Sequence, residues 1–279
     1  MSTRVSLFYF SLAYVLCFGD ASFFGIPKLC LCRCGLVQTE RQGILFRKTA
    51  DVPSQFPWVV TINTGNRVVQ GSLLTDQHII TAAEPVYGVP ITNLTVNLGV
   101  YDRCRGYSAL NSDVSEVTIN PSYAPANLNN NLALIKLRYP VTFSDSISPV
   151  CLPYYGLQEY DQVCWTASWA LSSANASTCI PRVATVPTLP AAGCYHGTND
   201  DTVTQDKACF VPLGAGSILC NIDIGAPVLW RFSSSFPYRL VGVISSSTTC
   251  EDTKTPLYTR VIDHITWIRD VIQSDCNCI

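Results

Sequence analysis

Between Phe56 and Val261 the chain repeats one pattern: a short apolar run, then a break rich in Gly, Pro, Asn and Ser. The runs include Trp58–Ile62, Ser72–Leu74, His78–Thr81, Leu94–Val100, Val114–Ile119, Leu132–Leu137, Pro227–Trp230 and Leu240–Ser245. They have the lengths of strands and favour Val, Ile, Leu, Thr and Trp, side chains that fit a pleated, half-buried surface. Breaks at this spacing leave no room for long helices, so the pattern predicts an all-β body, a sandwich or a barrel. One segment differs. Val261, Ile265, Ile268 and Ile272 fall at helical spacing, which predicts an amphipathic helix over 261–272.

Ahead of that body, Arg4 precedes an apolar run from Val5 to Phe18, and Gly19, Ala21 and Ser22 follow as small residues suited to cleavage. This is the layout of a secretory signal, assigned to residues 1–21, and it places the protein outside the cell. No later apolar stretch reaches about 18 residues, so no membrane span is expected. About 255 residues then remain, enough for one large all-β domain or two modest ones. A formal net charge of -2 with 14% charged residues argues against nucleic acid or an anionic membrane as partner.

The chain has 14 cysteines, and with Cys17 in the leader an odd number is left. In a secreted chain this reads as disulfides plus one sulfur that is free or intermolecular, leaving a disulfide-linked oligomer open. Cys30, Cys32 and Cys34 alternate with single residues and have no matching Cys/His pair downstream, so neither metal nor other cofactor is expected. Asn93-Leu94-Thr95 and Asn175-Ala176-Ser177 make Asn93 and Asn175 candidate glycan acceptors. Residues 22–55 form an irregular, Cys-containing N-terminal segment.

A series of short stretches then stands in a recognisable order: Phe56-Pro57-Trp58, Gly71-Ser72-Leu73, Thr81-Ala82-Ala83, Leu132-Ala133-Leu134-Ile135-Lys136-Leu137, Ser148-Pro149-Val150-Cys151-Leu152-Pro153, Cys164-Trp165, Gly225-Ala226-Pro227, and Pro256-Leu257-Tyr258-Thr259-Arg260-Val261 before Trp267-Ile268. Together they resemble the trypsin/chymotrypsin-like serine protease family from Phe56 to Ile272. The resemblance implies two antiparallel six-stranded β-barrels with the active site in the cleft between them and a C-terminal helix outside. It assigns residues 56–275 to that domain and 276–279 to a Cys-containing tail.

The family's chemistry needs a Ser nucleophile, a His that takes its proton and an Asp that orients the His. On the resemblance, the His position holds Glu84, the Asp position Asn131 and the Ser position Ile224. Ile has no nucleophilic atom. Ile222 stands where an oxyanion-hole Gly is usual, and a β-branched residue disfavours that backbone. The pocket floor falls at Ile218, with no acid to hold Lys or Arg, and Ser246 and Ser247 replace the usual Trp-Gly of the cleft strand. The Asp beside the nucleophile is retained as Asp223. The chain's three histidines, His78, His196 and His264, read as structural or solvated. The expectation is a domain without catalytic residues.

The resemblance also implies disulfides. Cys194–Cys209 and Cys220–Cys250 match family bridges, Cys34–Cys151 matches the tether of two-chain members, and Cys164 is left with Cys179 as a local partner. The family bridge beside the catalytic His has lost both cysteines, at Val69 and Pro85. Cys30, Cys32, Cys104, Cys276 and Cys278 stay unassigned. No Ile-Val-Gly-Gly activation sequence exists, although Arg41 and Arg47 offer exposed cleavage points.

Cys34 to Trp58 resembles the linker of insect clip-domain serine protease homologues. That implies a secreted, inactive homologue that binds proteases or zymogens, a cofactor or regulator of an extracellular proteolytic or innate immune cascade. Two alternatives stay open: a secreted adhesive or structural protein on a protease scaffold, and a residual serine-type endopeptidase.

Overall fold

The computed structural model describes residues 32–37, 48–49, 55–105, 108–157, 162–169, 179–194, 204–210, 224–246, 256–276 and 278. Six strands build the first barrel: β2 (Val59–Asn63), β3 (Val68–Leu73), β4 (His78–Thr81), β5 (Thr95–Leu98), β6 (Leu110–Ile119) and β7 (Ala133–Leu137), following a two-residue strand β1 (Lys48–Thr49). They close in the order β2-β3-β4-β7-β6-β5. The second sheet uses β8 (Val163–Ser168), β9 (Arg182–Pro190), β10 (Lys207–Phe210), β11 (Pro227–Trp230), β12 (Arg239–Ser246) and β13 (Leu257–Arg260). It runs β9-β10-β13-β12-β11-β8 and closes through a β8–β9 pairing, with β1 added on β9. All pairings between these strands are antiparallel. The fold is the pair of six-stranded barrels that the resemblance implied.

The run Val59, Val60, Thr61, Ile62 reads as continuously apolar because both faces of β2 are covered, and all four residues are buried. In β11 the faces divide cleanly. Val228 packs inside the second barrel with Phe210, Ile244 and Tyr258, while Leu229 joins the larger core shared with the first barrel. The helix is shorter than its periodicity predicts. Residues Ile262–His264 wind as a 3-10 turn, and the α-helix α1 spans Ile265–Ile272. Its predicted apolar stripe holds: Val261, Ile265, Ile268 and Ile272 are all buried. Burying such side chains contributes about 1.5–3 kcal/mol each. Among the described residues no helix is long and apolar enough to cross a membrane.

Disulfides tie the ends to this body. Cys34 is bonded to Cys151, and Cys32 to Cys278. Gly35 fits where the segment crosses the barrels: its N–H donates to Pro149 O, its carbonyl accepts from Tyr238 N–H, and a Cβ there would lie 2.2 Å from Tyr238 O. The tail is also held by hydrogen bonds. The Asp275 carboxylate accepts from Thr75 Oγ1 at 2.6 Å and pairs with His78 Nδ1, and Cys276 N–H donates to Asp76. Burial works to raise the Asp275 carboxyl, but bonds from His78 and Thr75 outweigh it and hold it below its ordinary range. Cys194 is bonded to Cys209; Cys220 and Cys250 lie outside the described residues.

One expected bridge is corrected. Cys179 is bonded to Cys104 and not to Cys164. Cys164 sits in β8 with its side chain buried in the second barrel's core, whereas Cys179 is exposed beyond the strand and cannot meet it. Cys104 lies in a 3-10 turn after β5, so the observed bridge joins one barrel to the other. Arg103 N–H donates to Cys179 O at 3.0 Å and Trp169 Nε1 to Tyr101 O at 3.1 Å beside it. Replacing Cys104 and Cys179 together by Ser should lower stability by about 2–4 kcal/mol, read from urea denaturation of the otherwise oxidised protein. An unchanged midpoint would show that the bridge constrains nothing.

Candidate functional site

Glu84, Asn131 and Ile224, the three positions singled out in the sequence, come from three segments that lie along the seam between the barrels. Thr81, the last residue of β4, is fully buried and donates its hydroxyl to Gln70 O at 2.6 Å. The chain then turns through Ala82 and Ala83 to deliver Glu84, which is only half-buried. On β3, Gln70 N–H donates to Ile224 O at 2.9 Å, joining the first barrel to the stretch that enters β11. Gly225 makes this approach possible. Its φ is +84°, and a Cβ there would fall 1.9 Å from Gln70 O and 2.5 Å from Thr81 Oγ1. Only Gly fits. Ile224 itself is half-buried and packs on the shared core, and its hydrocarbon side chain carries no lone pair.

Asn131 is fully buried at this seam. Its Oδ1 accepts the Glu84 backbone N–H at 2.8 Å, and its Nδ2 donates to Ser245 O on β12 at 3.1 Å. A side-chain amide has one acceptor end and one donor end, and both are used here. A carboxylate could serve only the first.

Glu84 points its carboxylate at Arg67, whose Nη2 lies 2.7 Å from both carboxylate oxygens. Arg67 belongs to the β2–β3 turn, where Thr64 N–H donates to Arg67 O. The side chains are 43% and 34% exposed, so the pair is solvent-screened and contributes about 0–1 kcal/mol. It links the segments that carry Val69, two residues after Arg67, and Pro85, next to Glu84, and both of those residues are buried. Tyr123 lies close by. Burial, then the charge of Glu84, then Tyr87 push its phenol above the usual value. Neither Arg67 nor Ser245 stood out in the sequence as a partner, because contacts between segments 17 and 114 residues apart leave no spacing to read.

Ser246 ends β12 opposite Leu257. Ile218, Ile222, Asp223, Ser247 and the glycan candidate Asn175 lie outside the described residues, as does His196. Asn93 is exposed at the end of a 3-10 turn. His78 is buried against Asp275, away from Glu84. His264 is buried too, and its Nδ1 lies 3.1 Å from Asn120 Nδ2. Asp102, Cys104 and Cys179 form the one group of possible metal ligands among the described residues, but both sulfurs are used in their disulfide.

The family model described as Trypsin matches residues 46–268. The chain is 28% identical over 226 residues to Ovochymase from Halocynthia roretzi, covering 78% of this chain and 14% of that protein. It is also 28% identical over 231 residues to Vitamin K-dependent protein C from Oryctolagus cuniculus, covering 78% of this chain and 50% of that protein. The chain thus spans half or less of the length of these relatives.

The bridging amide predicts a counterintuitive result. Asn131→Asp should destabilise the fold by about 1–3 kcal/mol at neutral pH, since a carboxylate oxygen would face Ser245 O without a proton. Urea unfolding of the variant checks this, and stability equal to the wild type would refute it.

His264 supplies a pH prediction. Burial is the main cause that lowers its pKa from 6.5; Asp206 works against it and Arg260 with it. Asn120 Oδ1 accepts from Ser122 N–H, so the Asn120 amide nitrogen faces His264 Nδ1, and a proton there would oppose two donors. The unfolded chain therefore binds the proton more readily than the folded one. Stability from neutral His264 is full above about pH 6.5 and is lost as pH falls through its lower folded-state value. Urea midpoints at pH 7 and pH 5 should differ less in His264→Asn than in the wild type.

Proposed function

The chain belongs to the trypsin family, and we propose that it is a secreted member that does not cut peptide bonds and acts by binding other extracellular proteins. The observation that carries this reading is the clasp on Glu84. A residue at the position of the general base must be able to take a proton from a nucleophile. Here the carboxylate is engaged by Arg67 at 2.7 Å on both oxygens, Asn131 spends its amide on two backbone groups, and position 224 holds Ile.

The partners of such a domain are proteases or their zymogens, and its role is that of cofactor or regulator in an extracellular proteolytic or innate immune cascade. Secretion is supported by the leader-like residues 1–21 and by the disulfides of the body. The adhesive alternative gains nothing from the tail. Cys278 is bonded to Cys32 and Cys276 is disulfide-bonded as well, so neither offers a sulfur to another chain.

An active-site-directed phosphonate tests the reading. Incubated beside an active trypsin-family protease, this protein should remain unlabelled by intact mass. Stoichiometric labelling at a residue of the cleft would overturn the inactive reading and favour a residual endopeptidase.

A further inference from the structure

The sequon Asn93-Leu94-Thr95 plays no part in the site described above, yet it is placed beside it. Pro90 opens a 3-10 turn over Ile91–Asn93, in which Asn93 N–H donates to Pro90 O and Leu94 N–H to Ile91 O. Leu94 is 3% exposed and anchors the turn in the core. Thr95 then starts β5, opposite Asn63 of β2 and Asp113 of β6. Asn93 is exposed at the end of this turn, and its side-chain amide makes no hydrogen bond among the described residues. An acceptor amide that is solvent-facing and unspent, on a rigid turn ahead of a strand-borne Thr, suits modification.

Its neighbour gives the position meaning. A Cβ on Gly65, in the β2–β3 turn, would lie 3.9 Å from Asn93 Cβ. The same turn carries Arg67, whose guanidinium holds Glu84. We propose that Asn93 bears an N-linked oligosaccharide that stands beside the β2–β3 turn and shields it from protein partners. The proposal rests on the secreted reading above. In the transfer, Asn93 Nδ2 bonds to C1 of the first sugar, the C1–oxygen bond to a lipid diphosphate donor breaks, and the amide loses one proton to a base. The donor leaves as the lipid diphosphate. A polar, mobile glycan there directs binding to other faces of the molecule.

The full chain with its leader should be expressed in eukaryotic secretory cells and recovered from medium and lysate. Glycosidase treatment followed by peptide mass mapping should show Asn93 converted to Asp, and Asn93→Gln should abolish that modification while leaving the thermal midpoint unchanged. Protein in the medium with Asn93 unmodified overturns the proposal while secretion stands; protein retained in the cytosol instead overturns the secreted reading. Shielding has its own readout. An antibody fragment selected on the Asn63–Arg67 turn of the unglycosylated protein should bind the Asn93→Gln form at least about tenfold more tightly than the glycosylated form. Equal affinities refute the shield.

Discussion

The amide of Asn131 joins the two barrels across their seam. It accepts from the backbone of Glu84 on one side and donates to the backbone of Ser245 on the other. Ser245 is buried and Glu84 half-buried, and a buried peptide group without a partner costs about 1–3 kcal/mol. The close contact of Gly225 with Gln70 and Thr81 depends on the same alignment of barrels. Glu84 is therefore fixed at its backbone, and its side chain is free to leave the seam for Arg67. Asn131 is thus a two-sided polar tie between the barrels.

Much of the fold was legible because barrel strands repeat a local signal. Pro227–Trp230 and His78–Thr81 coincide with strands, and the stripe at 261, 265, 268 and 272 marks the buried face of the last turns. The helix start was not legible. A 3-10 turn and an α-helix bury the same apolar stripe, so periodicity does not choose between them. Flanking residues singled out positions 84, 131 and 224, but nothing along the chain pointed to Arg67 or Ser245 as their contacts. Arg67 meets Glu84 within the first barrel and the Ser245 carbonyl meets Asn131 across the seam, and both meetings depend on how the sheets close.

Cysteine pairing shows the same division. Spacing along the chain favoured Cys164 with Cys179, yet strand direction turns one sulfur inward and leaves the other outside. The sulfur that meets Cys179 is 75 residues away, on the opposite barrel. Distance in sequence carries no information once two distant segments meet in space. The result is a covalent hold on the barrel pair in addition to the packed core and the Asn131 tie.

The bond between Cys32 and Cys278, separated by 246 residues, turns almost the whole polypeptide into a macrocycle. Cys34–Cys151 divides that ring into two. A nick at Arg41 or Arg47 would open one ring without releasing a fragment, because both sides of the cut stay connected through sulfur. Such a molecule keeps its mass and its N-terminal segment after cleavage. Scission alone can change its shape, and only scission combined with reduction can take it apart.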